Sequence, residues 1–200
     1  MRDIYDPVFV PASCGGDDLG MTTTRLIVVS GAPATGKTTV AEVVADRLGF
    51  PLLSLDTVKE TLGDVLGTRE EASSYLLGDA AAEVIFRLSA TFPVAVVEGW
   101  WRGERRERAQ QRFAGCVEIF CRCEPRLAEQ RMRARQAADR HWIHRDMINP
   151  DVAEQAARLA RTVVPLGVGT DLIEVDTTSG VAWDRLLGDL RDALGIASRA

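Results

Sequence analysis

Two hydrophobic rhythms alternate along this chain. Short runs of strand length occupy residues 26–30, 52–55, 94–97, 117–122 and 171–175, and between them apolar residues recur at helical spacing. The helical stretches are 38–48, a segment opening at Asp56, 70–91, 102–113, a segment running from Pro125 towards Arg140, 151–164 and 183–194. In the longest, the repeat Ala72, Leu76, Ala80, Val84 and Leu88 predicts the buried face, with Gly78 tolerated inside it. Gly49-Phe50-Pro51 and Phe92-Pro93 mark helix ends, and Pro125 suits a first helical turn. Apolar strands that alternate with helices need cover on both faces, which predicts an α/β three-layer sandwich around a five-stranded parallel sheet. Residues 1–20 follow neither rhythm and are broken by Pro7, Pro11, Gly15, Gly16 and Gly20, so they read as a flexible extension ahead of a single domain over 21–200. Met21 leads straight into the first strand and is a candidate natural start.

The first strand ends in Gly31-Ala32-Pro33-Ala34-Thr35-Gly36-Lys37-Thr38-Thr39, a Gly-x-x-x-x-Gly-Lys-Thr string set between strand and helix. This is the arrangement of a P-loop. Its glycines let the backbone fold over a phosphate so that amide N–H groups face it, and the next helix adds the positive end of its dipole. Lys37 is thereby placed to reach the terminal phosphates of ATP, and Thr38 to put its hydroxyl on Mg2+. Asp56 closes the second strand, on the rim where open parallel sheets bind ligands, and is also placed to cap the helix it opens. Glu98 closes the third strand in the position of the Walker B carboxylate, which holds magnesium directly or through water. Trp100 and Trp101 follow it and either line an acceptor pocket or pack against the sheet. Arg131 and Arg135 share a helical face, from which guanidinium groups either clamp a transferring phosphoryl group or simply meet solvent.

Composition narrows the class. An apolar fraction of 46% with 26% charged residues is that of an ordinary globular domain. No apolar run approaches the roughly 18 residues needed to span a bilayer, so no membrane role is expected and a cytoplasmic setting is the default. The net charge of −5 argues against a general nucleic-acid surface. Yet residues 101–113 sum to +3 and 122–145 to +4, which suits a local site for a polyanion such as ATP. Of 24 basic residues only Lys37 and Lys59 are lysines. Cys116, Cys121 and Cys123 crowd one apolar stretch where alternate strand residues share a face, with Cys14 far upstream; they read as buried free thiols rather than zinc ligands. His141 and His144 flank Trp142 with no acidic or cysteine partner in register, so no metal is expected there.

Residues 31–39, Leu55-Asp56-Thr57-Val58-Lys59, Val96-Val97-Glu98-Gly99, 129–135 with Arg140-His141, and Glu174-Val175-Asp176-Thr177 together resemble the compact P-loop kinases. That group includes chloramphenicol phosphotransferase, gluconate and shikimate kinases, zeta-toxin-like kinases and the kinase domains of polynucleotide kinases. The resemblance runs from about Arg25 to Leu194. It implies a P-loop NTPase fold of the nucleoside-monophosphate-kinase type, with a small helical lid at about 126–150. It also implies that Asp56 is the base contacting the acceptor hydroxyl, that Arg131 and Arg135 sit in the lid over ATP, and that Asp176 and Thr177 lie near the adenine. Lys59 falls where many relatives place an arginine that holds substrate or phosphate, and Glu98 replaces a commoner aspartate. The expected activity is transfer of the ATP γ-phosphoryl group to a hydroxyl of a small molecule such as an antibiotic, sugar or metabolite. One rival is a nucleic-acid 5′-hydroxyl kinase, against which the acidic remainder of the chain counts. The other is a regulatory ATP-binding protein, in which Asp56 and the lid arginines would be idle. Nothing in the pattern specifies the acceptor or an oligomeric state.

Overall fold

β1 (Arg25–Gly31) is apolar on both sides because both sides are covered. In the computed structural model, which describes residues 25–67, 71–138, 141–144 and 151–196, Leu26 and Val28 face one layer while Ile27 and Val29 face the other. None of the four is more than 3% exposed. The strand lies at the centre of a five-stranded sheet of order β2-β3-β1-β4-β5, all parallel. The other strands are β2 (Leu52–Ser54), β3 (Val94–Glu98), β4 (Cys116–Arg122) and β5 (Gly169–Asp176). The three-layer α/β sandwich with a kinase-type P-loop is therefore the observed architecture. The extension expected over 1–20 lies outside the described residues.

Helices α1 (Lys37–Leu48) and α7 (Trp183–Leu194) cover one face, with Val40, Val44, Leu186 and Leu190 packed on Ile27 and Val96. The opposite face takes α2 (Leu55–Leu66), α3 (Glu71–Ser89) and α4 (Glu104–Arg112). A third cluster joins α5 (Pro125–Ala137) to α6 (Val152–Thr162), and it includes Ala34 of the P-loop. The strand and helix positions follow the sequence reading closely, with α3 the exception in phase. Its buried face is Leu77, Ala81, Ala82, Ile85 and Phe86, whereas Leu76 is 70% exposed and Leu88 40%. The helix is rich in alanine, so two stripes are apolar, and the stripe carrying Ile85 and Phe86 removes more area from water.

Trp101 belongs to this face. It is 4% exposed and stacks on Phe86 at 5.6 Å between ring centres, with Phe113 edge-on at 5.5 Å. The expectation that Trp101 contributes to an acceptor pocket is thereby corrected, because the chain turns at Gly99 and sends the second tryptophan under the sheet. The three cysteines also separate: Cys116 faces the α3–α4 layer, Cys121 the α1–α7 layer, and Cys123 the α5–α6 cluster, all as buried free thiols. No helix among the described residues is long and apolar enough to cross a membrane.

One buried charge has a wholly structural setting. Glu118, in the middle of β4, is 1% exposed. Its Oε1 accepts from Ser30 Oγ at 2.5 Å and from Leu166 N at 2.6 Å, and its Oε2 accepts from Gly167 N at 2.8 Å. The carboxylate thus replaces a strand partner for the loop that leads into β5, and satisfies amides that would otherwise be buried without an acceptor. Glu118→Ala should lower the free energy of unfolding by about 3–5 kcal/mol, measured by urea denaturation, with Ser30→Ala costing only about 1 kcal/mol. Equal, small effects of the two would show that the loop finds its partners elsewhere.

Candidate active site

The P-loop is built by backbone constraints at both ends. Gly31 has φ of 141°, and a Cβ there would stand 2.3 Å from the Cys121 carbonyl oxygen on the neighbouring strand, so only glycine fits. Gly36 precedes α1 in a left-handed conformation with φ of 84°. Between them Ala34 also takes positive φ, at 64°, a strained conformation for a residue with a Cβ. The strain is held by hydrogen bonds. Thr35 Oγ1 donates to Ala32 O at 2.8 Å, and Lys37 Nζ folds back to the same carbonyl at 2.8 Å.

Strand register brings the carboxylate to this loop. Glu98 pairs with Val29 of β1 and with Ser54 of β2, which sets it at the sheet's C-terminal edge beside the first turn of α1. It is 3% exposed, and its two oxygens accept from Thr38 Oγ1 at 3.4 Å and Ser54 Oγ at 3.1 Å. Burial pushes its carboxyl above the usual range, opposed by Lys37 and the two hydroxyls. Burial likewise pushes Lys37 below its ordinary value, opposed by Glu98 and Asp56. Thr38 and Glu98 offer hard oxygen donors of the kind Mg2+ takes. Among the described residues no group of three or more histidine, cysteine and acidic side chains converges as a metal site.

Asp56 lies in the first turn of α2, exposed, and faces the same cavity of about 300 Å3 as Lys37, Thr38 and Glu98. The cap of α2 is not Asp56 but Ser54, whose Oγ accepts from Thr57 N at 3.5 Å, so Asp56 is left to face the cavity. Lys59, Trp100 and Arg135 line the cavity as well, with Pro33, Ala34 and Gly36 from the loop. The two lid arginines diverge. Arg135 reaches the cavity, near enough to Lys37 for the two positive charges to oppose one another. Arg131 instead spans Thr177, donating from Nη1 to its Oγ1 at 3.0 Å and from Nη2 to its carbonyl at 2.9 Å. Thr177 in turn donates to Thr35 O at 2.9 Å, which braces the loop from behind. Asp176 is turned outward to Arg122 and to Thr178 N, away from the cavity.

The sequence matches the AAA domain family over residues 26–162, more than half of its length and including the loop, Glu98 and α5. The chain belongs to the AAA domain family. Solved structures with the same fold include a "putative kinase" from Chloroflexus aurantiacus j-10-fl, 27% identical over 86% of this chain and 98% of that one, with a TM-score of 0.68. Shikimate kinase from Acinetobacter baumannii, in complex with shikimate, is 20% identical over 89% and 97% of the two chains with a TM-score of 0.55. A gluconokinase from Sinorhizobium meliloti 1021 is 18% identical over 86% and 95%, with a TM-score of 0.53. The resemblance to compact P-loop kinases is thus matched in fold. No curated protein matches the sequence.

In this AAA-domain protein several cavity residues escaped the sequence reading. Tyr75 comes from α3, Arg102 from the turn before α4, Arg105 from its first turn, His144 from the segment before α6, and Gln155 and Leu159 from α6 itself. The wall expected from a lid over 126–150 therefore extends through α6. His141 and His144 do have acidic partners, Asp64 at 2.9 Å and Glu60 at 2.8 Å, but both stand on α2, far away in sequence.

Below the loop, burial raises the Cys121 thiol to about 12, with the Lys37 charge pulling the other way. Such a thiol stays protonated and unreactive near neutral pH. Iodoacetamide at pH 8 should leave Cys121 unmodified in the folded protein and label it on unfolding, as read by peptide mass spectrometry.

Proposed function

We propose that the protein is an ATP-dependent kinase that transfers the γ-phosphoryl group to a hydroxyl of a small molecule. One observation carries this reading: groups suited to phosphate (Lys37 and Arg135), to a metal (Thr38 and Glu98) and to proton acceptance (Asp56) line a single cavity of about 300 Å3. That volume lies at the lower end of the range typical of small-molecule sites. Kinase folds among the solved structures, one bound to shikimate, support the same class.

The chemistry is a displacement at phosphorus. The acceptor oxygen bonds to the γ-phosphorus as the bond from phosphorus to the β–γ bridging oxygen breaks, and ADP leaves with that oxygen. The acceptor's hydroxyl proton passes to the Asp56 carboxylate. Amides of the loop and the N-terminus of α1 hold the phosphates in place, while Lys37 and Arg135 neutralise the charge on their oxygens. Magnesium, held between Thr38 and Glu98, supplies further neutralisation of the phosphates when bound. Arg131 serves this scheme at one remove, by fixing the strained turn at Ala34 through Thr177.

The expected outcome for Asp56→Asn is a fall in acceptor-stimulated ADP release of about 10²–10⁴-fold, with ATP affinity nearly intact. Lys37→Ala should abolish both. The screen covers hydroxyl-bearing antibiotics, sugars, nucleosides and hydroxy acids with Mg2+ present. If Asp56→Asn lost affinity and turnover in equal measure, the carboxylate would be a binding group and not the proton acceptor.

A further inference from the structure

Phosphoryl transfer as described makes no use of three cations in the cavity, namely Lys59, Arg102 and Arg105. Arg102 and Arg105 come from the turn into α4 and its first turn, not from the phosphate loop or α5. The charges that act on Lys37 are those of Glu98, Cys121, Asp56 and Arg135, whereas those that act on Arg105 are Asp79, Arg102 and Tyr75. One cavity thus carries a second set of cations, where α3 meets the turn into α4.

Arg105 is a held side chain. It is 14% exposed, its Nε meets Asp79 Oδ1 at 3.2 Å, and among the described residues it makes no other ion pair or hydrogen bond. Its guanidinium lies against Gly78 of α3 and on the cavity wall, with no hydrogen bond from either Nη among the described residues. Burial pushes its pKa below the ordinary value, and the neighbouring Arg102 charge acts in the same direction. Arg102 has no carboxylate or carbonyl partner among the described residues; its guanidinium lies 4.8 Å from the Trp100 ring centre and 5.7 Å from that of Tyr75. Helix α3 gives way to this arrangement. A Cβ at Gly78 would stand 2.5 Å from Arg105 Nη1, and a glycine weakens a helix interior relative to alanine. The helix keeps its glycine where the guanidinium needs the space.

Two guanidinium groups that line the same cavity, with one carboxylate, Asp79, on Arg105 alone, form a site for an anion. We propose that Arg102 and Arg105 bind a negatively charged group of the acceptor, a carboxylate or a phosphate, while Trp100 and Tyr75 border its body. A planar fork suits either oxyanion. The placement of the acceptor hydroxyl at Asp56 rests on the kinase reading; the anion site rests on the arginines alone. Lys59, whose Nζ donates to Ser74 Oγ at 2.8 Å, adds a further positive charge to the cavity wall.

The test is calorimetric titration of the full-length protein, loaded with Mg2+ and a non-hydrolysable ATP analogue, against matched pairs: small hydroxy acids with their amides, and sugar phosphates with the parent sugars. Binding of one charged series but not its neutral counterparts is expected, and which series binds tells carboxylate from phosphate. Arg102→Ala and Arg105→Ala should each weaken that binding by about tenfold or more, with Arg105→Lys intermediate. Gly78→Ala, which keeps both charges but displaces Arg105, should weaken it too. ATP affinity measured on each variant reports that the fold is intact. Anions that bind through the arginines yet are never phosphorylated would uphold the site and overturn the kinase reading. Neutral acceptors phosphorylated equally by wild type and both alanine variants would do the reverse, and absence of any charged-series preference would overturn the site.

Discussion

Two groups of opposite charge type are buried where the sheet meets its cavity, and each favours the ionised form of the other. Lys37 is 7% exposed and Glu98 3%. Burial drives each towards its neutral form and each resists that change in the other. The hydroxyls of Thr38 and Ser54 complete the carboxylate's hydrogen bonds. Ionisable groups buried without a direct ion pair add little to stability, so their presence points to use rather than to strength. Everything around them serves their placement: the central position of β1, the register of β3, and a loop that can turn only through Gly31.

Glu118 shows the contrast one strand away. It too is a glutamate on a buried strand, but its oxygens meet backbone amides and one hydroxyl, and nothing cationic is among its hydrogen-bond partners. The same side chain therefore serves as a framework element on β4 and as a ligand-facing group on β3. What separates the two roles is depth along the strand, in the middle for Glu118 and at the C-terminal end for Glu98.

The features of this structure that sequence made legible are those written in consecutive residues. The loop from Gly31 to Thr39, the strand ends at Asp56 and Glu98, and the alternation of strand and helix are all local patterns, and each stands where the pattern put it within a residue or two. What escaped was decided by packing between distant segments. The buried stripe of α3 is set by Phe86 meeting Trp101 and Phe113. The charge of 101–113 marked a basic stretch but not which of its arginines reach the cavity, and the place of Arg105 depends on a glycine in another helix. Equal spacing made Arg131 and Arg135 look equivalent, yet one helical turn is enough to put one on Thr177 and the other in the cavity.

The bond from Arg131 to Thr177 also ties together three segments that are distant in sequence. Through Thr177 and Ala34, α5 is fastened to the phosphate loop and to the end of β5. A swing of α5 would therefore loosen the turn that grips nucleotide, and this side of the cavity behaves as a fixed jaw. The opposite side is joined differently. Residues 141–144 meet α2 through two single histidine–carboxylate bonds, with Trp142 resting on Gly63. Each of these contacts joins the segment to α2 alone, whereas the single guanidinium of Arg131 ties α5 both to the loop and to the end of β5.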